Sequence, residues 1–146
     1  MIGERAPDCE LVDPDGKPYR LSQAWAAGPA CLVFYPGDGT RVCTAQLCEY
    51  RDHWSEFAAL GATVLGINPQ SHDSHRGFAR DHSFPFPLLS DPSGTCCKAY
   101  RANGWWSTHR LVVVIDRTGA ITHHRSVAPW RRQRASELLD AVRASS

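Results

Sequence analysis

The sequence predicts an α/β domain: a central mixed sheet flanked by helices and entered through an N-terminal hairpin. Three observations carry this reading. Nearly continuous apolar runs at Ala30–Tyr35, Thr63–Ile67 and Arg110–Ile115 have the length and composition of buried strands. Segments with helical spacing separate them, clearest in the stripe Leu47, Tyr50, Trp54 and Phe57. Gly, Pro, Asn and Asp punctuate nearly every junction. Strands that alternate with helices call for a sheet covered by helices.

The elements follow in order. Residues 1–20 mix short extended pieces with Pro7, Pro14, Gly16 and Pro18, which predicts a small hairpin. Leu21 to Gly28 reads as a short helical turn. The strand Ala30–Tyr35 stops at Pro36, and Gly37, Asp38 and Gly39 form a loop. One helix is predicted from about Arg41 to Leu60, with Gly61 as the residue after its end. Thr63–Ile67 is a second strand, ended by Asn68 and Pro69. Ser71 to Asp81 reads as a weakly patterned helix. Pro85 and Pro87 demote Phe84–Leu89 to a short or edge strand. Asp91-Pro92-Ser93-Gly94 leads into a helix ending near Tyr100. Arg110–Ile115, the turn Asp116–Gly119 and Ala120–His124 form a hairpin. Pro129 is expected to start a last helix, with Ala135, Leu138, Leu139 and Val142 on one face.

At 146 residues, the chain is expected to be one domain spanning residues 1–146. A chain this long can bury roughly 68–70% of its unfolded surface. A hydrophobic content of 42% and a charged content of 21% are globular values. A formal net charge of +1 offers no electrostatic case for nucleic acid or a membrane surface. The opening Met1-Ile2-Gly3-Glu4-Arg5 has no apolar signal core, and no apolar stretch approaches spanning length. The expected location is therefore the cytoplasm. There, the six cysteines (Cys9, Cys31, Cys43, Cys48, Cys96, Cys97) point to redox chemistry or metal rather than a disulfide scaffold.

The most informative stretch runs from Ala30 to Asp52. Thr40 is a good N-cap, and counting from it places Cys43 at N3, in the first helical turn. Unpaired backbone N–H groups and the positive end of the helix dipole favour an anion there. The thiolate is the nucleophilic form of cysteine, so the position suits a reactive sulfur.

The run Phe34-Tyr35-Pro36-x-x-x-Thr40-x-x-Cys43-Thr44 resembles the Pro-x-x-x-Thr-x-x-Cys signature of the peroxiredoxins. The spacing of Cys43 and Cys48 resembles the peroxiredoxin Q (bacterioferritin comigratory protein) branch. Two further stretches are similar to that branch. One is Gly3-Glu4-Arg5-Ala6-Pro7-Asp8, with Asp15-Gly16 and Leu21-Ser22. The other is the strand Arg110–Asp116 followed by Gly119. The resemblance implies a thioredoxin-like fold and a thiol peroxidase without metal, haem, flavin or other cofactor. It implies that Cys43 attacks the peroxide and that Cys48 resolves the resulting sulfenic acid. Pro36 would shield the sulfur from water, and Arg110 would come near Cys43 in space. Thr40 has two expected roles: capping the N–H of Cys43, and, by resemblance, hydrogen-bonding the thiolate and peroxide. The implied partners are a hydroperoxide and a dithiol reductant such as thioredoxin. A monomer is expected, with a weak dimer as the other possibility.

Alternatives stand beside these roles. In a straight helix, Cys43 and Cys48 would have Cα atoms roughly 8 to 9 Å apart. A disulfide needs less than about 7 Å, so pairing would require the helix start to unwind. Cys96 or Cys97 is a rival resolver. Gln46 is either part of the polar network or an ordinary exposed helix residue. Trp105 and Trp106 are read as core or surface packing. Arg41-Val42 stands where Pro-Gly is usual in the branch, which removes local stiffness. His72, His75, His123 and His124 lack a metal-motif context and are expected to be solvated, as is the run Arg131-Arg132-Gln133-Arg134. Two other function classes remain: a non-catalytic thiol redox sensor or binding protein of thioredoxin fold, and a metal module built on Cys96, Cys97 and nearby histidines.

Overall fold

The computed structural model describes residues 1–103, 110–127, 131 and 133–145. The expectations for Trp105, Trp106, Pro129 and Arg132 lie outside these residues. The N-terminal hairpin is β1 (Glu10–Val12) and β2 (Pro18–Arg20), followed by α1 (Ser22–Ala26). The core strands are β3 (Ala30–Phe34), β4 (Thr63–Asn68), β5 (Leu88–Ser90), β6 (Arg110–Ile115) and β7 (Ile121–Val127). The remaining helices are α2 (Arg41–Asp52), α3 (Trp54–Ala59), α4 (His72–His82), α5 (Thr95–Ala99) and α6 (Ala135–Ala144).

Among the described residues, these strands form one seven-stranded mixed sheet in the order β2-β1-β5-β4-β3-β6-β7. β3 lies near its centre, parallel to β4 and antiparallel to β6. The antiparallel register pairs Ala30 with Ile115 and Phe34 with Leu111. Arg110, one residue earlier in β6, therefore lies beside the carboxyl end of β3. This register brings a cation from late in the chain to the start of α2.

Side-chain alternation along β3 divides the core in two. Ala30, Leu32 and Phe34 join a cluster with Trp25, Cys96, Cys97, Tyr100 and Leu111. Cys31, Val33 and Tyr35 join a cluster with Cys43, Leu47, Tyr50, Phe57, Phe78 and Leu139 on the opposite face. Gly66 of β4 packs closely against that second face. A methyl group there would come within 2.6 Å of Leu88 Cδ2 and 3.2 Å of Tyr35 Cε1. Gly66→Ala is expected to cost about 1–3 kcal/mol from overpacking. The denaturant midpoint measures this, and an unchanged midpoint would show that Leu88 yields freely.

Three expectations are corrected. The single helix predicted to reach Leu60 breaks at His53, whose φ of −103° and ψ of 17° separate α2 from α3. On a straight helix, Tyr50 and Phe57 would lie about 10 Å apart along the axis. With the break, their ring centroids are 6.0 Å apart, edge to face, and both rings are buried. β5 is short, as one of its two readings has it, but not an edge strand: it lies between β1 and β4, and the two prolines precede it. The last helix begins at Ala135, where the Glu49 carboxylate of α2 accepts the first backbone N–H. Its expected apolar face is buried as read.

Candidate active site

Cys43 occupies N3 of α2, as its distance from Thr40 predicts, and is fully buried. Thr40 is the N-cap by backbone geometry, and the Thr44 N–H donates to its carbonyl at 2.9 Å. Its side chain, however, caps nothing in the helix. The hydroxyl donates to Gly37 O at 3.1 Å and closes the loop instead. The expected cap on Cys43 N–H is thus absent. A hydroxyl has one proton, so this bond also excludes donation to the Cys43 sulfur in this conformation. Pro36 is half-buried between the end of β3 and this loop.

Arg110 makes the decisive contact. Its Nη1 lies 3.3 Å from Cys43 Sγ and donates to Gln46 Oε1 at 2.8 Å. Only 3% of the residue is exposed. A buried guanidinium is costly unless a negative or hydrogen-bonding partner compensates it. The Cys43 sulfur and the Gln46 amide oxygen are two such hydrogen-bonding partners. Cys31, equally buried on β3, has its thiol pushed up to about 12 by burial alone.

The network continues inward. Gln46 Nε2 donates to Tyr50 Oη at 3.0 Å, and Tyr50 donates to Gln133 O at 2.8 Å. Gln46, left open between network and exposed surface, is fully buried in this chain of bonds. Tyr50 was legible only as part of an apolar stripe. Its spacing of four from Gln46 is the signal that the two share a helix face. Gln133 is also buried, so the run Arg131–Arg134 is not uniformly solvated.

Cys48 is half-buried on the same unbroken helix, its Sγ 3.8 Å from His82 Nδ1. Both cysteines are free thiols. Cys96 and Cys97 are buried across the sheet from Cys43, in the opposite core cluster. The structure therefore does not bring these rival resolvers to Cys43. Among the histidines, His75 overturns the expectation of solvation: it is fully buried. Among the described residues, no group of three or more His, Cys, Asp or Glu side chains is placed to hold a metal ion.

The AhpC/TSA family model matches residues 2–124. The chain belongs to the AhpC/TSA family. Peroxiredoxin Bcp of Bacillus subtilis is 31% identical over 144 residues, covering 93% of this chain and 88% of that protein. Chloroplastic peroxiredoxin Q of Sedum lineare is 42% identical over 89 residues, covering 61% of this chain and 47% of that longer protein. The crystal structure of peroxidoxin BcpB from Mycobacterium tuberculosis superposes with a TM-score of 0.90 at 32% identity, covering 99% and 97% of the two chains. These likenesses agree with the thioredoxin-like mixed sheet and with the family read from the Thr40–Cys43 signature. Among the described residues, no helix is long and apolar enough to cross a membrane.

Proposed function

We propose that this AhpC/TSA family chain is a thiol-dependent peroxidase that reduces hydrogen peroxide and small organic hydroperoxides, with Cys43 as the attacking sulfur. The observation that carries this reading is the 3.3 Å approach of Arg110 Nη1 to a sulfur in the first turn of α2. The Cys43 thiolate attacks the terminal oxygen of ROOH. The O–O bond breaks, ROH leaves after taking a proton, and Cys43 becomes a sulfenic acid. The guanidinium beside the sulfur stabilises charge developing on the reacting oxygens. Pro36 and the loop to Thr40 keep the sulfur from bulk water.

Cys48 then attacks the Cys43 sulfenic sulfur, water leaves, and an intramolecular disulfide forms. An external dithiol, thioredoxin or a similar protein, reduces that disulfide by exchange. No metal or organic cofactor enters these steps. The setting that fits this cycle is the cytoplasm, with the chain acting as a monomer.

The test is hydroperoxide consumption in the presence of thioredoxin, thioredoxin reductase and NADPH. Sustained turnover is expected. A single equivalent consumed without turnover would favour a sensor instead. The Cys48→Ser variant is expected to form the sulfenic acid at the native rate but to make no intramolecular bond to Cys43. Because the sheet separates Cys96 and Cys97 from Cys43, neither is expected to substitute. A Cys43 disulfide to either one, found by peptide mapping, would overturn the assignment of Cys48.

A further inference from the structure

The loop that carries Cys43 into α2 is fastened to α4 by a buried cluster outside the sulfur–guanidinium site. Asp38 is its centre. Its Oδ1 accepts from Tyr35 Oη at 2.6 Å, and its Oδ2 accepts from His75 Nδ1 and Ser74 Oγ, both at 2.7 Å. The His75 and Asp38 side chains are 0% and 5% exposed. The Asp38 backbone N–H donates to Gln70 Oε1, which Asn68 Nδ2 also holds at 3.0 Å. Burial pushes the Asp38 carboxyl upward, but the bonds from His75, Tyr35 and Ser74 outweigh it and leave the carboxyl below its ordinary value. Asp38 is therefore an ionised group held in one place by three charge-assisted bonds.

The start of α2 lacks support of its own. Thr40 gives it no side-chain cap, and its first turn contains no acidic residue. Val42, at N2, is β-branched and a modest helix former. Further along, α2 is held to the far end of α4, where Arg51 Nη1 donates to His82 O at 2.7 Å and Cys48 meets His82. So α4 grips both the loop before Cys43 and the segment around Cys48. Joining the two sulfurs requires the first of these grips to loosen.

We propose that Asp38, with His75 and Ser74, is a positioning latch that sets how readily the first turn of α2 unwinds, and hence how fast Cys43 meets Cys48. The second half of this statement rests on the proposed peroxidase cycle; the first half does not. The latch holds Cys43 beside Arg110 for the peroxide step and opposes the resolving step. Weakening it trades one for the other.

Hydrogen exchange on the reduced protein reads the latch without any peroxide chemistry. In Asp38→Asn, exchange of the amides of residues 41–46 is expected to accelerate by at least about tenfold, the scale of one lost charge-assisted bond. Exchange in β3 and β4 should stay at the native rate. Ser74→Ala removes one of the three bonds and keeps the fold secure, so it should shift the same amides less. His75→Asn can still offer an N–H to Asp38 and should restore near-native exchange, whereas His75→Leu should not. In single-turnover mixing, the rate of Cys43–Cys48 bond formation should rise in parallel with exchange. Equal acceleration across the sheet, or none at residues 41–46, would overturn the latch. Selective acceleration with no Cys43–Cys48 bond in any variant would uphold the latch and refute Cys48 as resolver.

Discussion

The Cys43→Ser variant is expected to lose hydroperoxide reduction altogether, by on the order of 10³-fold or more. The substitution is nearly isosteric, so the fold should survive; circular dichroism and the denaturant midpoint check this. What disappears is the sulfur anion. A serine hydroxyl beside Arg110 does not ionise at neutral pH, and a neutral hydroxyl is a weak nucleophile without an adjacent general base. Arg110 Nη1 would still bond Gln46, so the cation would remain in place. The measurement is peroxide consumption per turnover with excess dithiol. Turnover that survives this change would transfer the chemistry to another cysteine and remove the proposed mechanism.

Arg110→Gln is expected to have the next largest effect, about 10²- to 10³-fold on the rate constant for peroxide, the scale of losing one preorganised electrostatic donor. The substitution takes away the positive charge that contacts the Cys43 sulfur among the described residues. It also removes the donor to Gln46 Oε1, a buried acceptor. Without the cation, charge that develops around the reacting sulfur is less stabilised. Alkylation of Cys43 by iodoacetamide at neutral pH should therefore slow as well. Lysine is not an adequate replacement, because a single ammonium lacks the planar fork that serves sulfur and amide together. A peroxide rate unchanged in Arg110→Gln, with alkylation also unchanged, would show that the contact is structural only.

The parts of this architecture that depend on near neighbours in the chain were readable in advance. The apolar run from Arg110 to Ile115 gives β6 with the same bounds, because a strand buried on both faces leaves a continuous signal. Cys43 sits at N3 because Pro36, two glycines and Thr40 mark where a strand ends and a helix begins. The apolar face of α6 follows from residue spacing alone. The break at His53 was not readable, since no Gly or Pro marks it. It follows from Tyr50 and Phe57 packing together in a core that the local pattern does not describe. His75 likewise has no local mark of burial, because its partner Asp38 is 37 residues away.

The chain's own residues determined that a cysteine stands at a helix start, that a second cysteine follows on the same helix, and that the family is the one its signature names. Tertiary structure alone decided which cation meets the sulfur, where the Thr40 hydroxyl turns, and which cysteines lie beyond reach. Spacing reports only what residues a few positions apart can do. The meeting of Arg110 and Cys43, 67 residues apart, is set by the antiparallel register of β6 against β3. The isolation of Cys96 and Cys97 is set by which face of that sheet each side chain enters.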